Sequence, residues 1–127
     1  MNIKEMMMQY LREEGFCPKE AVYGIDFKCE GRSYAYIYDS EDEQFFRLMM
    51  PYIFNVTDEN RDAVMYALNS TNTDVKVVKA YTLVPDSVWL AFEVLLDRTP
   101  VLEDLVPRAI ATLCGARRRF FEYIEKG

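Results

Sequence analysis

The chain has 127 residues, of which 50% are hydrophobic and 28% charged, and 21 acidic side chains against 15 basic ones give a net charge of −6. This length and composition are typical of a single globular domain, residues 1–127, that buries a substantial core. The sequence contains no histidine, which excludes imidazole-based catalytic triads and histidine metal sites, and its acidic balance argues against nucleic-acid binding.

The first predicted element is a helix near the N-terminus. Ile3, Met7 and Leu11 recur at helical spacing, Asn2 can cap the start of the helix, and Gly15 can end it. The segment carries charged residues and no small-residue cleavage site follows it, so we do not expect a signal peptide. No stretch reaches the roughly 18 uncharged apolar residues of a membrane span. We therefore predict a cytoplasmic protein that has no membrane partner.

Two strands joined as a hairpin are predicted next. Residues 23–29 and 33–38 show an alternation with period two, and Glu30 and Gly31 supply the turn between them. Residues 39–43 (DSEDE) follow as an acidic loop. We expect this loop to be solvated, because the glycine and the distal glutamate of a calcium-binding loop are absent.

The middle of the chain predicts a third strand and a second helix. Residues 45–54 are apolar on both faces of the strand, and Pro51 indicates an edge strand or a bulge because proline lacks the amide hydrogen of a ladder bond. Thr57 is predicted to cap the helix that follows. Residues 69–73 (NSTNT) are predicted to end it.

The last third predicts two strands, residues 75–83 and 87–96, with a turn at residues 84–86 between them. A final helix follows, with Pro107 in its first turn or after a short preliminary turn. The order α-β-β-β-α-β-β-α predicts an α+β fold: an antiparallel five-stranded sheet with helices mainly on one face. Apolar residues on both faces of the third and fifth strands predict apolar surface opposite the helices.

Several segments resemble the YbjN-like family, a branch of the type III secretion chaperone-like fold. The resemblance is carried by residues 48–56 (LMMPYIFNV), 67–72 (ALNSTN), 77–81 (VVKAY), 89–96 (WLAFEVLL) and 109–121 (AIATLCGARRRFF). It implies a secretion-chaperone-like domain that is not an enzyme and needs no cofactor. Secretion chaperones bind an extended segment of a client protein and usually form homodimers, and YbjN-type proteins are described as proposed bacterial sensory transduction regulators. The resemblance thus implies a protein or peptide client and a homodimer.

The strand of residues 87–96 supplies the first candidate for a partner or dimer surface. Trp89, Ala91 and Leu95 share the strand face that is expected to lie opposite the helices. An exposed apolar patch around a tryptophan is typical of an interaction site.

Tyrosine and arginine side chains supply the second candidate surface. Tyr34, Tyr36 and Tyr38 share one strand face, and tyrosine suits interfaces that have one wet edge, although packing against the first helix is the alternative. Arg118 lies in the only basic cluster, residues 117–119 (RRR). These arginines are either solvated or face an acidic partner or a dimer contact.

Enzyme chemistry has little support in the sequence. Asp26, Glu93 and Asp97 lie in or beside predicted strands, and a pair of them could act as acid and base, with Glu93 among apolar residues. The three cysteines are odd in number and widely spaced, which predicts neither disulfides nor zinc ligation but buried thiols: Cys17, Cys29 and Cys114. We predict a non-enzymatic protein- or peptide-binding module without cofactor or metal. A small-ligand sensory module, or a carboxylate-dependent enzyme, is the alternative.

Overall fold

A computed structural model describes residues 1–83 and 86–126, which form three helices and one sheet. The helices are α1 (Ile3–Glu13), α2 (Arg61–Asp74) and α3 (Leu102–Lys126). The strands are β1 (Lys19–Ala21), β2 (Gly24–Cys29), β3 (Arg32–Ile37), β4 (Phe45–Asn55), β5 (Val78–Leu83) and β6 (Ser87–Leu95). Through the described residues the order is therefore α-β-β-β-β-α-β-β-α.

The six strands form one antiparallel sheet in the order β1-β2-β3-β4-β6-β5. This confirms the α+β class and the antiparallel sheet, but the prediction of five strands and the predicted element order were wrong. The missed strand, β1, has only three residues, and two of them, Lys19 and Glu20, are charged and exposed. No alternation of apolar side chains therefore marks it in the sequence.

All three helices pack against the same face of the sheet. Their buried stripes include Met7, Val64 and Leu113, none of which is exposed. These side chains meet strand residues of a single parity, namely Ile25, Phe27, Tyr34, Tyr36, Phe46, Leu48, Leu90 and Phe92. Since side chains alternate between the faces of a strand, residues of the other parity point away from the helices.

The predicted ends of α1 are confirmed. The Asn2 side chain accepts a hydrogen bond from the Glu5 amide at 2.8 Å, and the Glu5 carboxylate accepts one from the Asn2 amide. Gly15 then adopts a positive φ of 81°, which lets the chain leave the helix.

The other two helices differ from the prediction at their ends. α2 begins at Arg61, because Thr57 forms a separate turn in which its amide donates to the Asn60 side chain at 2.7 Å. Residues 69–73 continue α2 instead of ending it. Pro107 lies inside the continuous helix α3.

None of the described helices is long and apolar enough to cross a membrane.

A bulge interrupts β4 where Pro51 predicted an edge strand or a bulge. Met50 pairs with Leu90 and Phe54 pairs with Val88, so residues 51–53 stand opposite Trp89 alone. The extra residues increase the local bend of the strand. The predicted turn at residues 84–86 lies mostly outside the described residues.

Candidate functional site

A second apolar cluster lies on the face of the sheet that points away from the helices. Its centre is 0–5% exposed and consists of Ala35, Met49 and Ala91. Partly buried side chains surround the centre, namely Ile37, Tyr81 and Trp89. We call the surface formed by these residues the open face. All of its members come from strands, so the sheet itself encloses the centre.

The pairing of the strands makes the open face concave. Lys79 pairs with Ala91, Ala91 with Met49, and Met49 with Ala35, so the four residues form one row across the sheet. The two alanines in this row present only a methyl group, whereas the rows on either side carry longer side chains. A shallow trough of about 950 Å³ lies over part of the open face and extends past its β2–β3 end to Phe16 and Phe27.

One side of the trough is aromatic. Within the bulge, Tyr52 adopts a positive φ of 53°, and its ring meets that of Trp89 edge-on with 4.7 Å between centroids. The Trp89 indole nitrogen donates to Ser87 Oγ at 3.0 Å, which holds the indole in place. Tyr81 pairs with Trp89 across the β5–β6 ladder. Tyr52 is 64% exposed and is therefore the most accessible ring of the three.

A charged group borders the open face beyond Ala91, on the side away from Trp89, and one member of it, Arg47, lines the trough. Glu93 accepts a hydrogen bond from Arg47 Nε at 2.8 Å and forms an ion pair with Lys79 Nζ at 2.6 Å, and its side chain is only 12% exposed. The prediction that Glu93 lies among apolar residues was therefore wrong, because the register places Arg47 directly opposite it. Both carboxylate oxygens are engaged by cations, so Glu93 has a structural role in holding Arg47 beside the trough.

Two lysines and one aspartate line the end of the trough near β1 and β2. Lys19 and Lys28 line it and are exposed, and neither forms an ion pair with a described residue. Asp26 accepts a hydrogen bond from the Tyr23 hydroxyl, which raises the pKa of Tyr23 to about 12. The open face thus has an apolar floor, one aromatic side and cationic groups at this end.

The three predicted interface tyrosines lie on the helix-covered face. Tyr34 and Tyr36 are 2% and 1% exposed, so placing them on a contact surface was wrong. Tyr34 stacks on Phe27, and Tyr36 meets Phe46, both inside the core. Tyr38 is partly buried against the same core. The alternative reading, in which these rings pack beneath the helices, describes their positions.

The other predicted surface residues lie in two separate places. Trp89, Ala91 and Leu95 do share the face opposite the helices, but Ala91 is fully buried and Leu95, at 81% exposed, lies at the end of β6. Arg118 is exposed on α3, in the helix layer. Arg118 therefore cannot belong to the same surface as Trp89.

Sequence reasoning missed several residues of the open face. The pattern could have indicated Ala35 and Ile37, because they alternate with the three tyrosines and must face the other side of β3. Met49 likewise has the parity of Arg47 in β4. No sequence signal could have found Tyr52, because its position depends on the two extra residues of the bulge.

The described cysteines do not suggest metal or disulfide chemistry. No cluster of three or more metal-ligating side chains occurs in residues 1–83 and 86–126. Cys17, Cys29 and Cys114 are free thiols, but Cys17 is exposed and the other two are only partly buried, so the prediction of buried thiols was wrong. Burial raises the pKa of Cys29, which disfavours its nucleophilic thiolate form.

The architecture defines an α+β protein whose antiparallel sheet is covered by helices on one face. No family model and no curated protein matches the chain. The crystal structure of an uncharacterized protein from Methanothermobacter thermautotrophicus is similar, with a TM-score of 0.67 and 14% identity over 97% of this chain and 96% of that one. So is that of YbjN, a proposed transcription regulator from E. coli, with a TM-score of 0.66 and 11% identity over 93% and 88%. The chain therefore has a YbjN-like fold.

Proposed function

We propose that this chain is a non-enzymatic protein-binding module that holds an apolar segment of a client protein on the open face. The observation that supports the proposal is the apolar trough, which has a buried floor that includes Ala35 and Met49 beside accessible aromatic rings. Contiguous apolar surface of this kind marks interaction sites on soluble proteins. Tyrosine and tryptophan are also enriched in the energetic centres of interfaces.

The charges around the trough define the chemistry of the client segment. Lys19 and Lys28 are unpaired at one end, whereas Arg47 and Lys79 are already bound to Glu93. An apolar segment flanked on one side by acidic residues would match this distribution. Electrostatic matching of that kind orients a partner and speeds its association.

A regulatory role, like the one proposed for YbjN from E. coli, fits the same surface. A net charge of −6 opposes the phosphate backbone of DNA. We therefore propose that any regulation by this chain proceeds through contacts with protein.

A small-ligand sensory module is the second candidate, and one observation favours it. The trough volume of about 950 Å³ falls within the range of roughly 300–1,000 Å³ that is common for small-molecule pockets. An apolar metabolite would then occupy the floor beside Trp89. Glu93 gives no comparable support to an enzyme, since two cations hold it.

The test begins with a random peptide library displayed on phage and selected against the whole chain. Selected peptides are resynthesised and titrated by calorimetry. Trp89 is the only tryptophan, so its fluorescence should shift when a peptide covers the open face. Replacing one aromatic ring at the centre of an interface typically weakens binding about tenfold or more, and we expect this for Trp89→Ala and for Tyr52→Ala.

Tyr66→Ala is the matched control, because Tyr66 is an exposed ring on α2, in the helix layer. Its affinity for the selected peptides should equal that of the unmodified chain. Equal affinities for all three variants would place the site elsewhere and end the proposal. If no peptide is enriched while an apolar metabolite shifts the Trp89 emission, the small-ligand function replaces it.

We also propose that two copies associate through the open face when no client is present. Sedimentation velocity over a concentration series measures this directly. Trp89→Ala should shift the equilibrium toward monomer, and Tyr66→Ala should leave it unchanged. A chain that stays monomeric throughout would reject the homodimer while leaving the client proposal standing.

A further inference from the structure

Three arginines converge on a cleft in the helix layer, away from the open face. Arg32, at the start of β3, and Arg117 and Arg118, on α3, line a cavity of about 480 Å³. None of the three forms an ion pair with a residue in the described part of the chain. The next residue, Arg119, in contrast binds Asp74 and Glu122. The cleft therefore brings together three arginines that are not ion-paired, on an otherwise acidic chain.

The fold holds these arginines on one side of the molecule. Arg32 has the parity of Tyr34 in β3, so both side chains point toward the helices. The Tyr34 hydroxyl lies 3.3 Å from Cys114 Sγ, which links β3 directly to α3. Arg117 and Arg118 follow Cys114 by three and four residues, the spacing that places side chains on the same face of a helix. Strand and helix thus present their guanidinium groups to a common space.

Packing also restricts one of the guanidinium groups before any ligand arrives. The Arg117 guanidinium lies 4.7 Å above the Phe121 ring, a cation–π contact that limits its rotamers. Glu122 and Glu125 line the same cleft, but Glu122 also binds Arg119 at 3.4 Å. The basic groups therefore outnumber the acidic ones around the cavity.

We propose that this cleft binds a small phosphate-bearing compound. Guanidinium groups bind phosphate through paired, charge-assisted hydrogen bonds, and each presents a planar fork of donors. A single carboxylate has two oxygens and one charge, whereas a phosphate group offers three terminal oxygens and more charge, which matches three converging arginines better. The cavity volume lies in the range of small-molecule sites. This site is independent of the open face and of the function proposed for it.

Pyrophosphate and inorganic phosphate serve as the probes, titrated into the whole chain by calorimetry at constant ionic strength. We expect saturable binding of one pyrophosphate per chain. Removal of a charged hydrogen-bonding partner typically weakens binding about tenfold or more, so Arg32→Gln and Arg118→Gln should each do so. Arg108→Gln is the matched control, because Arg108 is an exposed arginine of the same helix that pairs with Asp104 outside the cleft.

Several outcomes would overturn the proposal. One is the absence of saturable binding of either probe. Another is an equal loss of pyrophosphate affinity in Arg108→Gln, which would show that the overall charge of the chain and not the cleft determines binding. A poly-glutamate peptide or duplex DNA that competes as well as pyrophosphate would assign the cleft to a macromolecule instead. Binding of pyrophosphate should persist in Trp89→Ala, so failure of this proposal and failure of the open-face proposal can be told apart.

Discussion

Gly24 is the position where the fold depends most directly on one missing side chain. It begins β2 with a φ of +151°, and a Cβ built there would lie 2.0 Å from the backbone oxygen of Tyr36. The obstacle is a neighbouring strand that cannot swing aside like a side-chain tip. Gly115, in the middle of α3, has nothing within 4 Å of its built Cβ and no unusual φ. The same mutation to alanine therefore meets opposite environments at the two glycines.

We predict that Gly24→Ala lowers the free energy of unfolding by more than about 2 kcal/mol, since a strained φ and an overpacked contact each cost about 1–3 kcal/mol. Gly115→Ala should raise it by up to about 1 kcal/mol, the usual gain from replacing glycine inside a helix. Urea denaturation followed by circular dichroism measures both. Similar effects of the two substitutions would show that the approach of β2 to Tyr36 is not rigid.

The requirement for glycine at position 24 illustrates what the sequence could not predict at this scale. Its alternating neighbours indicated a strand correctly, as β2 shows. The close approach to Tyr36 depends on the register of the β2–β3 pair, in which Gly24 stands opposite Ile37. Alternation within each strand does not specify that register, so the constraint became visible only in three dimensions.

At the scale of elements, one side chain protects the outer edge of the sheet. Strand β5 is the last in the sheet order, so one row of its backbone groups faces away from β6. Asn72 in α2 donates to the Ala80 carbonyl at 2.9 Å and accepts from the Ala80 amide at 2.7 Å. The carboxamide thus makes the two bonds that another strand would make. Exposed strand edges otherwise invite pairing between molecules.

We predict that Asn72→Ala lowers the free energy of unfolding by about 1–2 kcal/mol, because two hydrogen bonds of about 1 kcal/mol each are lost. The variant should also aggregate faster when heated, since the β5 edge is opened. Asn69→Ala is the control, because Asn69 is exposed on the same helix and its side chain makes no hydrogen bond to β5. Light scattering during thermal unfolding compares the two. Equal aggregation of both variants would refute a protective role for Asn72.

Asn72 also explains one error in the sequence-based prediction. Asparagine, serine and threonine usually compete with the helix backbone, so residues 69–73 indicated a helix end. In the structure Thr71 is buried in the core, and Asn72 bonds to β5 instead of to its own helix. Tertiary hydrogen bonds thus satisfy the Asn72 carboxamide, whereas Thr71 Oγ1 is buried without a hydrogen-bond partner among the described residues. Both residues stay in α2 through contacts that are distant in sequence. By contrast Asn2 acts locally, and the helix start predicted from it was confirmed.

At the scale of the whole molecule, the sequence predicted two apolar sheet faces and placed Trp89 opposite the helices, but it did not predict that the tyrosines of β3 lie under the helices. The prediction that Tyr34 and Tyr36 share a face was correct. Alternation along a strand shows which residues share a face, but it does not show which face the helices cover. The helices select the face with the larger side chains, and the alanines of the open face are left in its trough. To predict which face the helices cover, the side-chain volumes of both sheet faces must be compared with those of the buried helix side chains.

The buried tyrosines make the stability of the whole fold sensitive to alkaline pH. Burial raises the pKa of Tyr34 and Tyr36 above the ordinary tyrosine value, with a smaller contribution from the Cys114 contact and from Glu43 respectively. A raised pKa in the folded state means that the folded chain holds protons that the unfolded chain releases. The contribution of these two tyrosines to stability is therefore fully present below about pH 10, the pH at which unfolded tyrosine titrates. This contribution is lost as the pH rises above that value.

We predict that Tyr36→Phe reduces this alkaline loss, because the ring is kept while one ionising hydroxyl is removed. Each such group contributes a slope of about 1.4 kcal/mol per pH unit above about pH 10, so the variant's curve should be shallower by that amount. Urea midpoints measured from about pH 8 to pH 12 test this. Tyr66→Phe, at an exposed ring on α2, should leave the slope unchanged. Parallel curves for Tyr36→Phe and the unmodified chain would mean that Tyr36 does not govern the alkaline transition.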